Sequence, residues 1–194
     1  MNENYENYMD DEEELSERKK DLIFNIFLVL MLIGMFTTSL FFNIALVSGS
    51  SMEPTLSNKD AAIFEKPKFR NLEYNRGDII IADVSRLNYE SLGDKRIIKR
   101  VIGVPGDTIN INDGKVYVNG KLINEDYIFE GINTETYEGY GNKWKLKKDE
   151  YFVMGDNRTH NGSLDSRVLG KIYKDEIYGK VLYRFYPIKN RRSL

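Results

Sequence analysis

Residues 96–118 read Arg-Ile-Ile-Lys-Arg-Val-Ile-Gly-Val-Pro-Gly-Asp-Thr-Ile-Asn-Ile-Asn-Asp-Gly-Lys-Val-Tyr-Val. Three short runs rich in β-branched residues, Arg96–Ile102, Thr108–Ile111 and Val116–Val118, are broken by Gly103-Val104-Pro105-Gly106 and by Asp113-Gly114. An Asp-Gly pair between alternating apolar positions is a strong signal for a two-residue β-hairpin. Working outward, Ala61–Phe64, Asp78–Asp83, Tyr151–Met154 and Ile177–Tyr186 have the same strand character, with Gly77 and Asn119-Gly120 as further turns. No stretch after residue 50 keeps a helical period long enough to compete. Residues 48–194 are therefore predicted to form a mainly β domain. The segment of about 110–148, richer in Asn, Gly, Tyr and charge than its flanks, reads as a small cap inserted into that core.

Residues 22–47 contain no Asp, Glu, Lys or Arg. As a helix they would extend about 39 Å, enough to cross a hydrocarbon layer of ~30 Å with some tilt. That is longer than the apolar segment of a cleaved secretory signal, so one retained transmembrane helix is expected. Arg18, Lys19 and Lys20 precede the run, and the next basic residue is Lys59. The bias of Lys and Arg toward the cytoplasmic side predicts an inside N-terminus and an extracytoplasmic domain after residue 47. Residues 1–21 carry a net charge of about −6 and are expected to be a disordered acidic tail, whereas the part after the anchor carries about +4. Without a basic stripe interleaved with aromatics, nucleic acid is not an expected partner. The chain has no cysteine, which excludes disulfides, thiolate catalysis and cysteine metal sites.

Ser51 follows the apolar run within Ser48-Gly49-Ser50-Ser51-Met52-Glu53-Pro54-Thr55-Leu56. Pro54 fixes its own φ and biases Glu53 away from helix, so the chain turns sharply after the serine and presents its hydroxyl. A serine linker leaving a helix is the plain alternative. A hydroxyl needs a base to become a nucleophile. The single histidine, His160, lies in a polar loop, Asn157-Arg158-Thr159-His160-Asn161-Gly162, and reads as exposed. Among seventeen lysines, Lys99 stands apart because Ile97, Ile98, Val101 and Ile102 surround it. Strand alternation puts Ile97, Lys99 and Val101 on one face. Burial there would lower its pKa enough to let the free amine accept a proton, with snorkelling beside Arg100 as the competing arrangement. Gly155-Asp156-Asn157-Arg158 and Ser163-Leu164-Asp165-Ser166-Arg167 alternate carboxylate and guanidinium in a loop, a pattern suited to ion pairs that stiffen a site. No histidine or glutamate completes a metal-ligand set there.

Three blocks, Ser51–Leu56, Lys99–Asp107, and Gly155–Arg158 with Asp165-Ser166-Arg167, resemble bacterial type I signal peptidases in their order and in having an anchor just upstream. The resemblance spans roughly residues 22–187, and the single anchor and short cap look like the Gram-positive form. It implies a membrane-bound Ser/Lys endopeptidase that removes signal peptides from secretory preproteins after small-x-small, Ala-x-Ala-like sites. The bilayer and the translocation channel would be its surroundings, and no cofactor or metal would be needed. On the matching positions Ser51 would be nucleophile and Lys99 general base. Ser163 would orient the lysine, Asp165 and Arg167 would form a supporting salt bridge, and Met52 would pack beneath. Some members carry a serine that completes the oxyanion hole where this chain has Gly49. Two other readings remain: a related self-cleaving Ser/Lys protease, and a non-enzymatic anchored β domain that binds envelope partners.

Overall fold

The computed structural model describes residues 3–67, 72–87, 96–188 and 192–194. The chain divides into a helical unit through Leu40 and a β unit from Phe41 to Leu194.

Helix α1 spans Glu3–Phe41. It takes in the acidic segment expected to be disordered. Within its apolar part, Thr37 and Thr38 return their hydroxyls to the Gly34 carbonyl and Ser39 does the same to Phe36. Such back-bonding satisfies polar side chains inside an apolar helix. Ser16–Phe41 is long and apolar enough to cross a membrane.

The uncharged run expected as one helix over 22–47 is divided in the structure. Its last part, Phe42–Leu46, forms strand β1 and pairs antiparallel with β2, Ala61–Glu65, in the register Phe42↔Glu65 to Leu46↔Ala61. The lack of charge marks a helix in lipid and an apolar edge strand equally well. Only the partner strand decides between them.

The main sheet continues with β3 (Ile79–Asp83), β4 (Arg96–Gly103), β9 (Glu150–Met154), β10 (Ile172–Tyr173) and β11 (Ile177–Tyr186), in the order β1-β2-β11-β3-β4-β9-β10, with β12 (Arg192–Ser193) against β11. Its central strands are apolar on both faces. Ile80 and Ala82 join Ile97, Val101, Val153 and Ile177 on one side, while Ile79 and Ile81 join Met52, Leu56, Phe64 and Val181 on the other. A sheet covered on both faces reads as nearly continuous apolar runs, as Ile79-Ile80-Ile81-Ala82 does.

A second sheet, ordered β7-β6-β5-β8, comprises β5 (Thr108–Asn112), β6 (Lys115–Val118), β7 (Lys121–Leu122) and β8 (Lys143–Lys145). Asp113 and Gly114 both have positive φ, 48° and 73°, as the two-residue turn between β5 and β6 requires. Ile109, Ile111, Val116 and Val118 pack with Ile102, Phe152 and Met154 of the main sheet, so the two sheets share an apolar seam.

One detail of register positions the site. Strand β4 pairs with β3 along Arg96–Arg100, but its pairing with β9 begins only at Arg100. Among the described residues, the half from Arg96 to Lys99 is therefore unpaired on one edge.

Candidate active site

Ser51 occupies a pegged turn. Glu53 N–H donates to the Ser50 carbonyl (3.1 Å) and Leu56 N–H to the Met52 carbonyl (2.9 Å), while the side chains of Met52 and Leu56 are buried in the core. Asn157 grips the same turn from the opposite side. Its backbone N–H donates to the Ser51 carbonyl (3.1 Å) and its Nδ2 to the Ser50 carbonyl (3.2 Å). Farther along, the Thr55 carbonyl accepts from Arg184 Nη1, which also pairs with Asp60. The position of Ser51 Oγ is thus set by core packing and by hydrogen bonds to two separate segments, at Asn157 and Arg184.

Lys99 lies on β4 facing the same side as Ile97 and Val101 and is only 3% exposed. It does not snorkel to solvent. Its Nζ is 2.7 Å from Ser51 Oγ and 2.9 Å from the Ile98 carbonyl. Removal from water disfavours the ammonium form and pushes its pKa down to about 8 from 10.5. The Asp165 and Asp156 carboxylates pull it back up, and Arg167 again lowers it. Both carboxylates are tied to arginines. Asp156 accepts from Arg100 Nε (2.8 Å) and Nη2 (2.6 Å), and Asp165 accepts from Arg167 Nε and Nη2, both at 2.9 Å. A carboxylate neutralised by its own guanidinium raises a neighbouring amine less than a free one would. With a pKa of about 8, roughly a tenth of the lysine is free amine at pH 7.

Asp165 and Arg167 are fully buried, and Asp165 also accepts from the Gly155 N–H (3.0 Å). Burial alone would raise the Asp165 pKa, but the Arg167 guanidinium and the Gly155 amide hold it below the usual carboxylate range. Arg158 does the same mechanical work on the neighbouring loop. It donates to the Gly155 carbonyl (2.7 Å), Thr134 Oγ1 (2.8 Å) and Glu125 Oε1 (2.5 Å), tying the insertion to the loop that holds Asn157.

Ser163 is buried in this loop, but the hydrogen bond expected from it to Lys99 is not formed. The neighbours of Lys99 Nζ are Ser51 and Ile98, and Ser163 Oγ has no hydrogen-bond partner among the described residues. A tight turn closed by Gly162 N–H on the Thr159 carbonyl (2.8 Å) precedes Ser163, whose hydroxyl packs over Gly155 instead. Gly49 has φ +88° and donates its N–H to Asn58 Oδ1 (3.1 Å), so it shapes the approach to Ser51 without offering a hydroxyl. His160 is exposed, with Nδ1 2.8 Å from Glu135 Oε2. Among the described residues, the side chain within hydrogen-bond reach of Ser51 Oγ is Lys99.

A Cβ on Gly155 would collide with Ser163 Oγ and with the backbone carbonyl of Ser51, which cannot swing aside. Gly155→Ala is expected to displace the serine turn and destabilise the fold by about 1–3 kcal/mol. Denaturant unfolding measures the loss.

Ser51 and Lys99 open onto a cavity of about 540 Å³. Residues Asn43–Leu46 of β1 line one side and Arg96–Lys99 of β4 another, while the intervening strands contribute Phe64, Tyr178 and Ile81. The open edge of β4 therefore borders the same space as the serine and the amine. Among the described residues, no three His, Cys, Asp or Glu side chains cluster as metal ligands.

The asparagine clamp on Ser51, the Arg184–Asp60 brace and the Arg158–Glu125 tie escaped the sequence reading. Their partners are 24 to 129 residues apart, and neither periodicity nor spacing reports such pairs.

Residues 19–186 match the family described as signal peptidase, peptidase S26. The chain is 39% identical over 143 residues to a probable signal peptidase I-2 of Synechocystis, covering 73% of this chain and 62% of that protein, so it spans less than two thirds of that relative. It is 34% identical over 192 residues to a signal peptidase I of Bacillus licheniformis, covering 93% of this chain and 98% of that one. A crystal structure of a signal peptidase I from Enterococcus faecalis superposes with a TM-score of 0.42 at 28% identity, covering 56% of this chain and 97% of the other.

Proposed function

The chain belongs to the signal peptidase, peptidase S26, family, and on that premise we propose that it is a membrane-anchored serine endopeptidase that cleaves signal peptides from exported preproteins. The observation that carries the reading is the 2.7 Å approach of a buried lysine amine to the hydroxyl of Ser51 beside an open cavity. Substrates have small side chains one and three residues before the cleaved bond, and they lie extended along the free edge of β4. Main-chain pairing there gives affinity, and alternate side chains enter the cavity.

The free amine of Lys99 takes the Ser51 proton as Oγ attacks the scissile carbonyl. The resulting oxyanion is stabilised by the backbone N–H of Ser51. Lys99, now an ammonium, returns the proton to the leaving amine as the C–N bond breaks and the acyl-enzyme forms. The regenerated amine then deprotonates water, which releases the acyl group and restores Ser51. Met52 holds the turn from below, the Asp165–Arg167 pair holds the loop above, and no cofactor enters. The N-terminus is cytoplasmic, the β unit is extracytoplasmic, and preproteins arrive at the bilayer, alongside the translocation channel.

Full-length protein in detergent, incubated with a preprotein carrying an Ala-x-Ala site, tests this reading. Ser51→Ala abolishes cleavage, His160→Ala leaves it, and kcat/KM rises tenfold per pH unit below about 8 before levelling. Cleavage that survives Ser51→Ala, or that is lost in His160→Ala, removes the Ser/Lys assignment.

A further inference from the structure

Arg96 opens β4, three residues before Lys99, and lines the same cavity. Its side chain is held by stacking, with Cζ 3.7 Å from the ring centroid of Tyr178, which in turn packs on Phe64 with centroids 5.7 Å apart. A stacked guanidinium keeps the N–H groups along its edge available for another partner. No carboxylate pairs with it among the described residues. Its cross-strand neighbour Asp83 accepts instead from the backbone N–H and the hydroxyl of Ser85. The charge balance of the cavity points the same way. Among the described residues, its lining contains no Asp or Glu, and apart from Lys99 its one formally charged side chain is Arg96.

We propose that Arg96 is a specificity-determining residue: it favours a carboxylate side chain about four or five residues before the cleaved bond and disfavours Lys or Arg there. This inference rests on the endopeptidase reading above. The distance along the strand sets the position. Three residues of β4 span about 10 Å at ~3.3 Å each, and an extended substrate rises equally fast. A peptide with its scissile carbonyl at Ser51 therefore reaches Arg96 about three residues away, and the length of the arginine side chain widens this by one or two. The upstream side follows from the apolar residues. Ile98, Ile81, Phe64 and Tyr178 line the cavity together with Ser51 and Arg96, and they take the small apolar side chains that precede the cleaved bond.

The test uses full-length protein in detergent and quenched fluorogenic peptides identical except for Glu, Gln or Lys at the fourth or fifth residue before the bond. Wild-type kcat/KM is expected to be higher for Glu than for Lys by roughly three- to tenfold, and the preference shrinks at about 0.5 M salt, where charges are screened. Arg96→Glu inverts the order, Arg96→Gln abolishes it and Arg96→Lys retains its sign. The Gln peptide is the baseline for each enzyme, so a general loss of folding cancels in the ratio. Equal ratios in wild type and Arg96→Glu overturn the inference while leaving the endopeptidase reading intact, as does a charge effect confined to residues downstream of the bond. Failure of the wild type to cleave the Gln peptide removes the endopeptidase reading and this inference with it.

Discussion

Lys99→Met is expected to lose cleavage of an Ala-x-Ala preprotein by about four orders of magnitude, the scale on which loss of a serine hydrolase's base acts, and yet to gain stability at neutral pH. The two effects have one cause. Folding buries the Lys99 amine in surroundings that lower its pKa from 10.5 to about 8. Below pH 8 the lysine is protonated in both folded and unfolded chains, so the folded state carries the full penalty of a buried ammonium. Between about 8 and 10.5 the folded chain binds fewer protons than the unfolded one, so stability rises with pH across that window. Above 10.5 both states are neutral and the penalty is gone. Methionine fills a similar volume without charge, and the gain relative to wild type is on the order of 3 kcal/mol below pH 8, fading as the pH approaches 10.5. Denaturant unfolding at several pH values reads it directly. Lys99→Arg is also inactive, since a guanidinium does not give up its proton at usable pH. A variant that loses activity because it unfolds shows the opposite sign of stability change.

Asp165→Ala has the second large effect, and here stability falls. Arg167 is 2% exposed, and its guanidinium would lose both bonds to the carboxylate while remaining buried. Stranding one member of such a pair costs about 3–5 kcal/mol. The bond from the Gly155 N–H also goes, as does the acceptor for the Arg167 N–H at the start of α2 (Ser166–Leu169). Replacing both members, Asp165→Leu with Arg167→Met, is expected to recover much of the stability, because the stranded charge is the larger part of the loss. At Lys99 the sign is just as definite. Asp165 raises the lysine's pKa and Arg167 lowers it, so removing the acid alone lowers it further. The acid limb of the pH–activity profile of Asp165→Asn therefore moves to lower pH, provided the protein is assayed where it remains folded.

The contrast between Lys99 and Ser163 explains what the sequence made legible. Alternation put Ile97, Lys99 and Val101 on one face, because strand period is a local property of seven consecutive residues, but it left open whether the amine is buried or snorkels, which the packing around Lys99 decides. The Asp113-Gly114 hairpin was readable for the same reason, since its positive φ values are demanded by two adjacent residues. The hydrogen bond of Ser163 depends on how a turn four residues long folds over Gly155, and the spacing of residues does not determine that. Nor does an uncharged run reveal where it changes from helix to strand. Phe42–Leu46 is as apolar as the residues before it, and its fate is decided by Ala61–Glu65, nineteen residues farther on. Arg96 shows a third limit. In sequence it is one basic residue beside a turn, and its meaning comes from a cavity whose described lining holds no carboxylate.

The measurement that bears most directly on the account is the titration of the Lys99 side chain itself, followed through its ¹³Cε resonance in full-length, lysine-labelled protein in detergent and assigned by its absence in Lys99→Met. A midpoint at about 8 is expected. A midpoint at 10.5, that of an ordinary lysine, would mean that the amine beside Ser51 is an ammonium throughout the working range and cannot take the serine's proton.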